Sequence, residues 1–171
     1  SVTNLLVNFL AIDSTYPSDT TNVAASAVWT TNGLPLPPET NSVNLEIVQA
    51  GYALTKTLLT PSDRTAQVGE PIEFQIRLMN TGEVDLVVVP LMDTFNAAYL
   101  APLSAVPPVN ASGAGFVSWT NVGPLLAGSE TSVVVRFTAL ATTHGLPETN
   151  KVRASPSTPA GKPTVPVLTN E

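Results

Sequence analysis

The sequence predicts an all-β sandwich. Three observations carry that reading: short runs that alternate apolar and polar residues, Gly- and Pro-rich punctuation between them, and no stretch with helical periodicity. With 43% hydrophobic residues among 171, the chain can bury one core of ordinary domain size and still carry extra elements.

The clearest run lies at 68–95. Ile72, Phe74, Ile76 and Leu78 alternate with Glu73, Gln75, Arg77 and Met79, as in a strand with one buried face. Asn80-Thr81-Gly82-Glu83 has turn chemistry, and residues 86–92 are almost continuously apolar, as in a strand covered on both sides. A hairpin is therefore expected here.

Ahead of it, residues 2–12 predict a strand with Leu5, Val7, Phe9 and Ala11 on one face and Leu6, Asn8, Leu10 and Ile12 on the other. A loop follows at 13–20 with Pro17, then strands at 22–31 and 41–48 around the turn 32–38. Gly51 marks a boundary, and 52–60 opens a module with Leu54, Lys56 and Leu58 on one face. Beyond the hairpin, strands are expected at 99–103, 116–122, 131–140 and 150–154. In the third of these, Val133, Val135, Phe137 and Ala139 point inward. The tail 156–163 is proline-rich, and 165–168 suits one more short strand. The expected organisation is an N-terminal strand extension at 1–50, a sandwich at 51–155 and a C-terminal tail at 156–171. Phe74, Ile76, Val88, Trp119, Val135 and Phe137 are its expected core.

Composition narrows the function classes. A net charge of −6 argues against nucleic acid, whose phosphates call for basic patches. The absence of cysteine rules out disulfides, zinc–cysteine sites and thiol chemistry. No run approaches the roughly 18–20 apolar residues that span a bilayer, so no membrane span is expected. No signal peptide is visible, so an exported chain is expected to be processed ahead of Ser1. A surface rich in Thr, Ser and Asn with only 12% charged residues suits an extracellular, cell-surface location.

The chain also repeats itself. Residues 1–43 align without a gap on 129–171 at a constant offset of 128. Ser1, Thr3, Val7, Phe9 and Ala11 meet Ser129, Thr131, Val135, Phe137 and Ala139. Thr15, Thr21 and Asn22 meet Thr143, Thr149 and Asn150; Thr30, Gly33, Pro35 and Pro38 meet Thr158, Gly161, Pro163 and Pro166. The N-terminal stretch thus copies the last strands of a module whose first strands are not repeated. A lone strand pair has little stability in water and needs a further surface.

Several motifs in this order resemble the conserved-repeat domain of bacterial and archaeal surface proteins, a family of unknown function. They are Lys56, Gln67-Val68-Gly69-Glu70, Asn80-Thr81-Gly82, the run from Val89 through Asp93 to Phe95, Trp119, Val122-Gly123, Leu126-Ala127-Gly128 and Thr149-Asn150. The resemblance covers roughly 52–155; residues 1–48 resemble only a tail end. It departs where the family has a proline after the aspartate and this chain has Phe95-Asn96. The resemblance implies an immunoglobulin-like sandwich, a stalk, adhesin or surface-layer role, and no enzyme activity.

Lys56, Asp93 and Asn150 form the one notable triad. Alternation points Lys56 inward with Leu54 and Leu58, and Asn150 inward with Val152 and Ala154. Related adhesin sandwiches join such a pair by a spontaneous Lys–Asn isopeptide bond assisted by a carboxylic acid. Burial favours a neutral amine nucleophile and a protonated acid that polarises the amide. The plainer alternative is a lysine that snorkels to the edge, an aspartate that caps a turn and an asparagine bonded to backbone. Other candidates are weaker. His144 sits in a loop, Asp13 and Asp19 lack the periodicity of a calcium loop, and Trp29 and Trp119 suit either sugar stacking or packing. Asn110-Ala111-Ser112 is an N-glycosylation sequon.

No metal or organic cofactor is expected. The expected function is a structural subunit of an extracellular filament or surface array, assembled head to tail by β-strand complementation. The subunit-assembly strand would present Leu5, Leu6, Val7, Phe9, Leu10 and Ile12. Its partners would be copies of itself, with host or cell-surface glycans as the other partner class. The competing readings are an adhesin or stalk module of a longer surface protein, and a carbohydrate-binding module.

Overall fold

The computed structural model describes residues 5–15, 18–162 and 164–171. Among them there is no helix, and hence none long and apolar enough to cross a membrane. The chain forms two compact units, Ser1–Gln49 and Ala50–Glu171.

The first unit carries one antiparallel pair, β1 (Thr20–Ser26) and β2 (Glu39–Leu45). Every residue of both strands is exposed. Thr15 ties the preceding loop to β2's end, its N–H donating to the Ile47 carbonyl at 2.7 Å and its Oγ1 accepting from the Ile47 N–H at 2.8 Å. Residues 5–12 form no strand, contrary to the alternation; residues 2–4 of that expected strand, with Tyr16 and Pro17 of the loop, lie outside the described residues. The physical reason is that a strand exists through its ladder bonds, and among the described residues no partner strand pairs with 5–12.

The second unit is an immunoglobulin-like sandwich. Its strands are β3 (Tyr52–Thr60), β4 (Pro71–Asn80), β5 (Leu91–Thr94), β6 (Leu100–Val106), β7 (Ala111–Gly113), β8 (Phe116–Trp119), β9 (Glu130–Ala139), β10 (Lys151–Ala154) and β11 (Leu168–Asn170). One sheet has the order β3-β4-β9-β6, the other β11-β10-β5-β8-β7. Ile76, Leu78, Val133, Val135 and Phe137 from the first sheet meet Leu91, Val117, Trp119 and Val152 from the second in one core.

The expected hairpin is not one. β4 and the apolar run after it belong to different sheets. Asn80 makes the crossing: fully buried, it donates through Nδ2 to the carbonyls of Val84 (2.9 Å) and Leu125 (3.1 Å) and accepts the Gly82 N–H at Oδ1 (3.1 Å). Turn residues reverse a chain, but tertiary bonds such as these, with the reciprocal Leu86–Leu125 backbone pair, decide which sheet it enters. Asn80→Ala is expected to lower the unfolding free energy by about 2–3 kcal/mol, because the buried Val84 carbonyl loses its donor, the Leu125 carbonyl keeps only the Leu86 N–H, and the Gly82 N–H is left with the Gly51 carbonyl. The denaturant midpoint reads this out.

Three further expectations change. Residues 86–92 are not covered on both sides: Leu86 and Val89 are buried, whereas Val88 is 41% exposed and so is not core. Val88 forms only an isolated bridge to Ser157. Phe74 is half-buried at the core's margin. The C-terminal run supplies β11, which pairs with β10, while Pro163 lies outside the described residues.

Candidate functional site

The sandwich positions the triad through strand alternation. On β3, Tyr52 and Leu54 face the core, so Lys56 follows them inward, and its side chain is 2% exposed. Leu91 on β5 and Phe95 just after it bracket Asp93 on the buried face, and the Asp93 side chain is fully buried. On β10, Val152 and Ala154 point inward, and Asn150, two residues earlier, shares their side. Asp93 stands opposite Val152 in the β5–β10 ladder, which brings it beside Asn150.

The three polar groups meet. Lys56 Nζ lies 2.5 Å from Asp93 Oδ1, and Asn150 Nδ2 donates to Asp93 Oδ2 at 3.5 Å. Lys56 Nζ also lies 4.9 Å from the centre of the Phe74 ring, so an apolar wall flanks it. Asn150 Oδ1 is buried with no hydrogen-bond partner among the described residues. A buried carboxamide oxygen without a donor is costly and calls for an explanation.

Electrostatics disfavours charge here. Burial pulls the Lys56 amine below the ordinary lysine value, with Asp93 opposing. Burial pushes the Asp93 carboxyl above the ordinary carboxylate range, with Lys56 and Asn150 opposing. Both directions favour a neutral amine hydrogen-bonded to a carboxylic acid. A cavity of about 940 Å³ opens beside this end of the sandwich, lined in part by Leu58, Phe74, Tyr99 and Asn150.

Two residues with no signal in the sequence complete the site. Tyr52 Oη donates to the Ala154 carbonyl (2.8 Å) and accepts from the Leu168 N–H (2.9 Å). Asn170 Oδ1 accepts the Lys56 N–H at 3.2 Å, while its Nδ2 donates to the Leu54 carbonyl at 3.3 Å. Together they close the seam between β3 and β10–β11 alongside Lys56. Neither stands out in its own segment, because its role depends on strands about a hundred residues apart in sequence.

The other candidates stay apart from this site. Trp119 is buried, its indole N–H donating to the Pro107 carbonyl at 2.9 Å, so it packs rather than presents a face. Trp29 is 65% exposed in the N-terminal unit. Asn110 is exposed just before β7, with Oδ1 accepting from Thr120 N–H (2.8 Å) and Oγ1 (3.1 Å). His144 is an exposed loop residue with φ 53°. Asp13 Oδ1 accepts the Ser14 N–H at 2.8 Å. Asp19 is exposed, and among the described residues no group of three or more His, Cys, Asp or Glu side chains could hold a metal. Leu5, Leu6, Val7, Phe9, Leu10 and Ile12 are all exposed, from 55% for Val7 to 92% for Ile12.

No family model matches the chain, and no curated protein matches it. Solved structures do. The major pilin subunit of Bacillus cereus is 10% identical, with a TM-score of 0.48 over 86% of this chain and 47% of that one. An exo-β-N-acetylglucosaminidase of Vibrio harveyi is 14% identical, with a TM-score of 0.43 over 70% of this chain and 17% of that one. A chitinase of Bacillus thuringiensis is 14% identical, with a TM-score of 0.32 over 71% of this chain and 18% of that one. The chain spans less than half the length of each, and identities this low carry no activity across.

Proposed function

We propose that the chain is a structural module of an extracellular surface filament or array, stapled internally by a Lys56–Asn150 isopeptide bond that it forms unaided. The observation that supports this is the burial of an amine, a carboxyl group and a carboxamide against one another in an apolar core. The neutral Lys56 amine attacks Asn150 Cγ, and a new Nζ–Cγ bond forms. Asp93, as the acid, polarises the carboxamide oxygen; half a turn of that group brings Oδ1 onto the carboxyl. Asp93 then relays a proton from Nζ to Nδ2, the Cγ–Nδ2 bond breaks, and ammonia leaves. One amine and one carboxamide become one secondary amide and one ammonia, with no oxidant required. The reaction consumes the protein's own side chains once, so it serves architecture rather than turnover.

The N-terminal stretch supplies the joint between units. Its copy of the closing strands has uncovered apolar side chains, and residues 5–12 join no strand among the described residues, which supports head-to-tail addition to another immunoglobulin-like unit. A sugar-binding role is less well supported, because one of the two tryptophans is in the core.

Intact mass spectrometry tests the bond. The full chain is expected to fall short of its calculated mass by one ammonia, and digestion is expected to give a branched peptide joining Lys56 to Asn150. Asp93→Ala keeps both reactants but loses the acid, so it should show the full calculated mass. An unaltered mass for the full chain would sink the proposal.

A further inference from the structure

The copy of the closing strands extends into three dimensions. Shifted by 128 residues, β1 ends at Ser26 where β10 ends at Ala154, and β2 spans the equivalents of β11. Gly33 and Gly161, equivalent in sequence, both take left-handed backbone, at φ 75° and 78°. Such a backbone is free for glycine and strained for residues with a Cβ. The β1–β2 register differs from that of β10–β11 by one residue: Ala24 faces Asn41, whereas its equivalent Val152 faces the equivalent of Ser42.

Within this copy, Asn22 occupies the place of Asn150, again preceded by threonine. Asn150 is 6% exposed and donates to Asp93 on β5. Asn22 is exposed in β1, which among the described residues pairs with β2 alone. Leu5, Val7 and Phe9, equivalent to the core residues Val133, Val135 and Phe137, are exposed as well. The copy therefore has the inward-facing residues of a sandwich without the strands that would cover them.

We infer that Asn22 is a second cross-link acceptor, taken by a lysine amine on an immunoglobulin-like stretch that lacks closing strands of its own. That stretch corresponds to residues 50–128 and brings the equivalents of Lys56 and Asp93. A second complete copy of this chain fits poorly, because its residues 129–171 already fill the same place in its own sandwich. The bond forms as at Asn150: amine and carboxamide give a secondary amide and ammonia. This inference rests on the proposed Lys56–Asn150 chemistry and extends it to the joint between units.

The test is an extended chain. A copy of residues 50–128 is fused directly ahead of Ser1, so that Gly128 precedes Ser1 as it precedes Ser129. This chain is expected to lose two ammonia molecules, with peptide mapping joining Asn22 to the added lysine. Asn22→Ala in the extended chain, or methionine in place of the added lysine, should reduce the loss to one. Residues 5–45 should at the same time become resistant to limited proteolysis. A loss of one ammonia mapped to Asn150 alone would overturn the inference and leave the first bond standing. So would polymerisation of the unextended chain through residues 5–12 with Asn22 uncoupled in the extended one. No loss in either chain would remove both readings.

Discussion

Lys56→Met is expected to restore the calculated mass and to lower the unfolding free energy by about 4–5 kcal/mol. The magnitude follows from the loop that the Lys56–Asn150 bond closes, roughly a hundred residues, in the chain-entropy account of cross-links. Methionine fills the space of the lysine stem without a buried amine, so packing loss contributes little. Asp93 then remains as a buried acid beside the Asn150 carboxamide. Its folded-state pKa is raised above the unfolded value by burial, so the folded state holds the extra proton across that window. Stability of the variant is therefore full below the ordinary carboxylate range and is lost as pH rises through the raised value. Guanidinium unfolding measures both effects, and the dependence on denaturant should steepen as the unfolded chain expands. An unchanged midpoint together with an unchanged mass would contradict this account.

Phe137→Ala is expected to cost about 3–5 kcal/mol. Phe137 is fully buried, with ring centres 4.8 Å from Phe95 and 6.1 Å from Phe74. It faces Ile72 on β4 and Pro102 on β6 in the two ladders of β9, so neighbouring backbone limits collapse into the space left behind. A loss below about 1 kcal/mol would mean that the faces of β9 are misassigned.

Alternation made β3, β4 and β9 legible, together with the inward direction of Lys56 and Asn150. Period-two patterning records which face is buried, and that is a local property. Sheet membership is not local, and the apparent hairpin at 68–95 failed on this point: Asn80 commits the chain to the opposite sheet through carbonyls at Val84 and Leu125. Ala111-Ser112-Gly113 carries no strand pattern, and β7 exists because β8 offers an edge. Residues 5–12 show the converse, with strong alternation and no strand, since pattern supplies a face but not a partner. Within the site, Lys56 and Asn150 could be placed by face alone. Tyr52 and Asn170 could not, because their bonds cross a seam that only the closed sandwich creates.

Lys56 lies near the beginning of the sandwich and Asn150 near its end. With the bond formed, tension applied along Ala50–Glu171 enters through the first residues of β3, passes across the new amide, and leaves through β10 and β11. The intervening chain, some ninety residues and roughly 300 Å when fully extended, is out of the line of pull. Stretching such a unit would not spool it out. The module would behave as an inextensible link, and an array of them would resist shear by covalent bonds where an ordinary sandwich depends on its hydrogen-bond ladders.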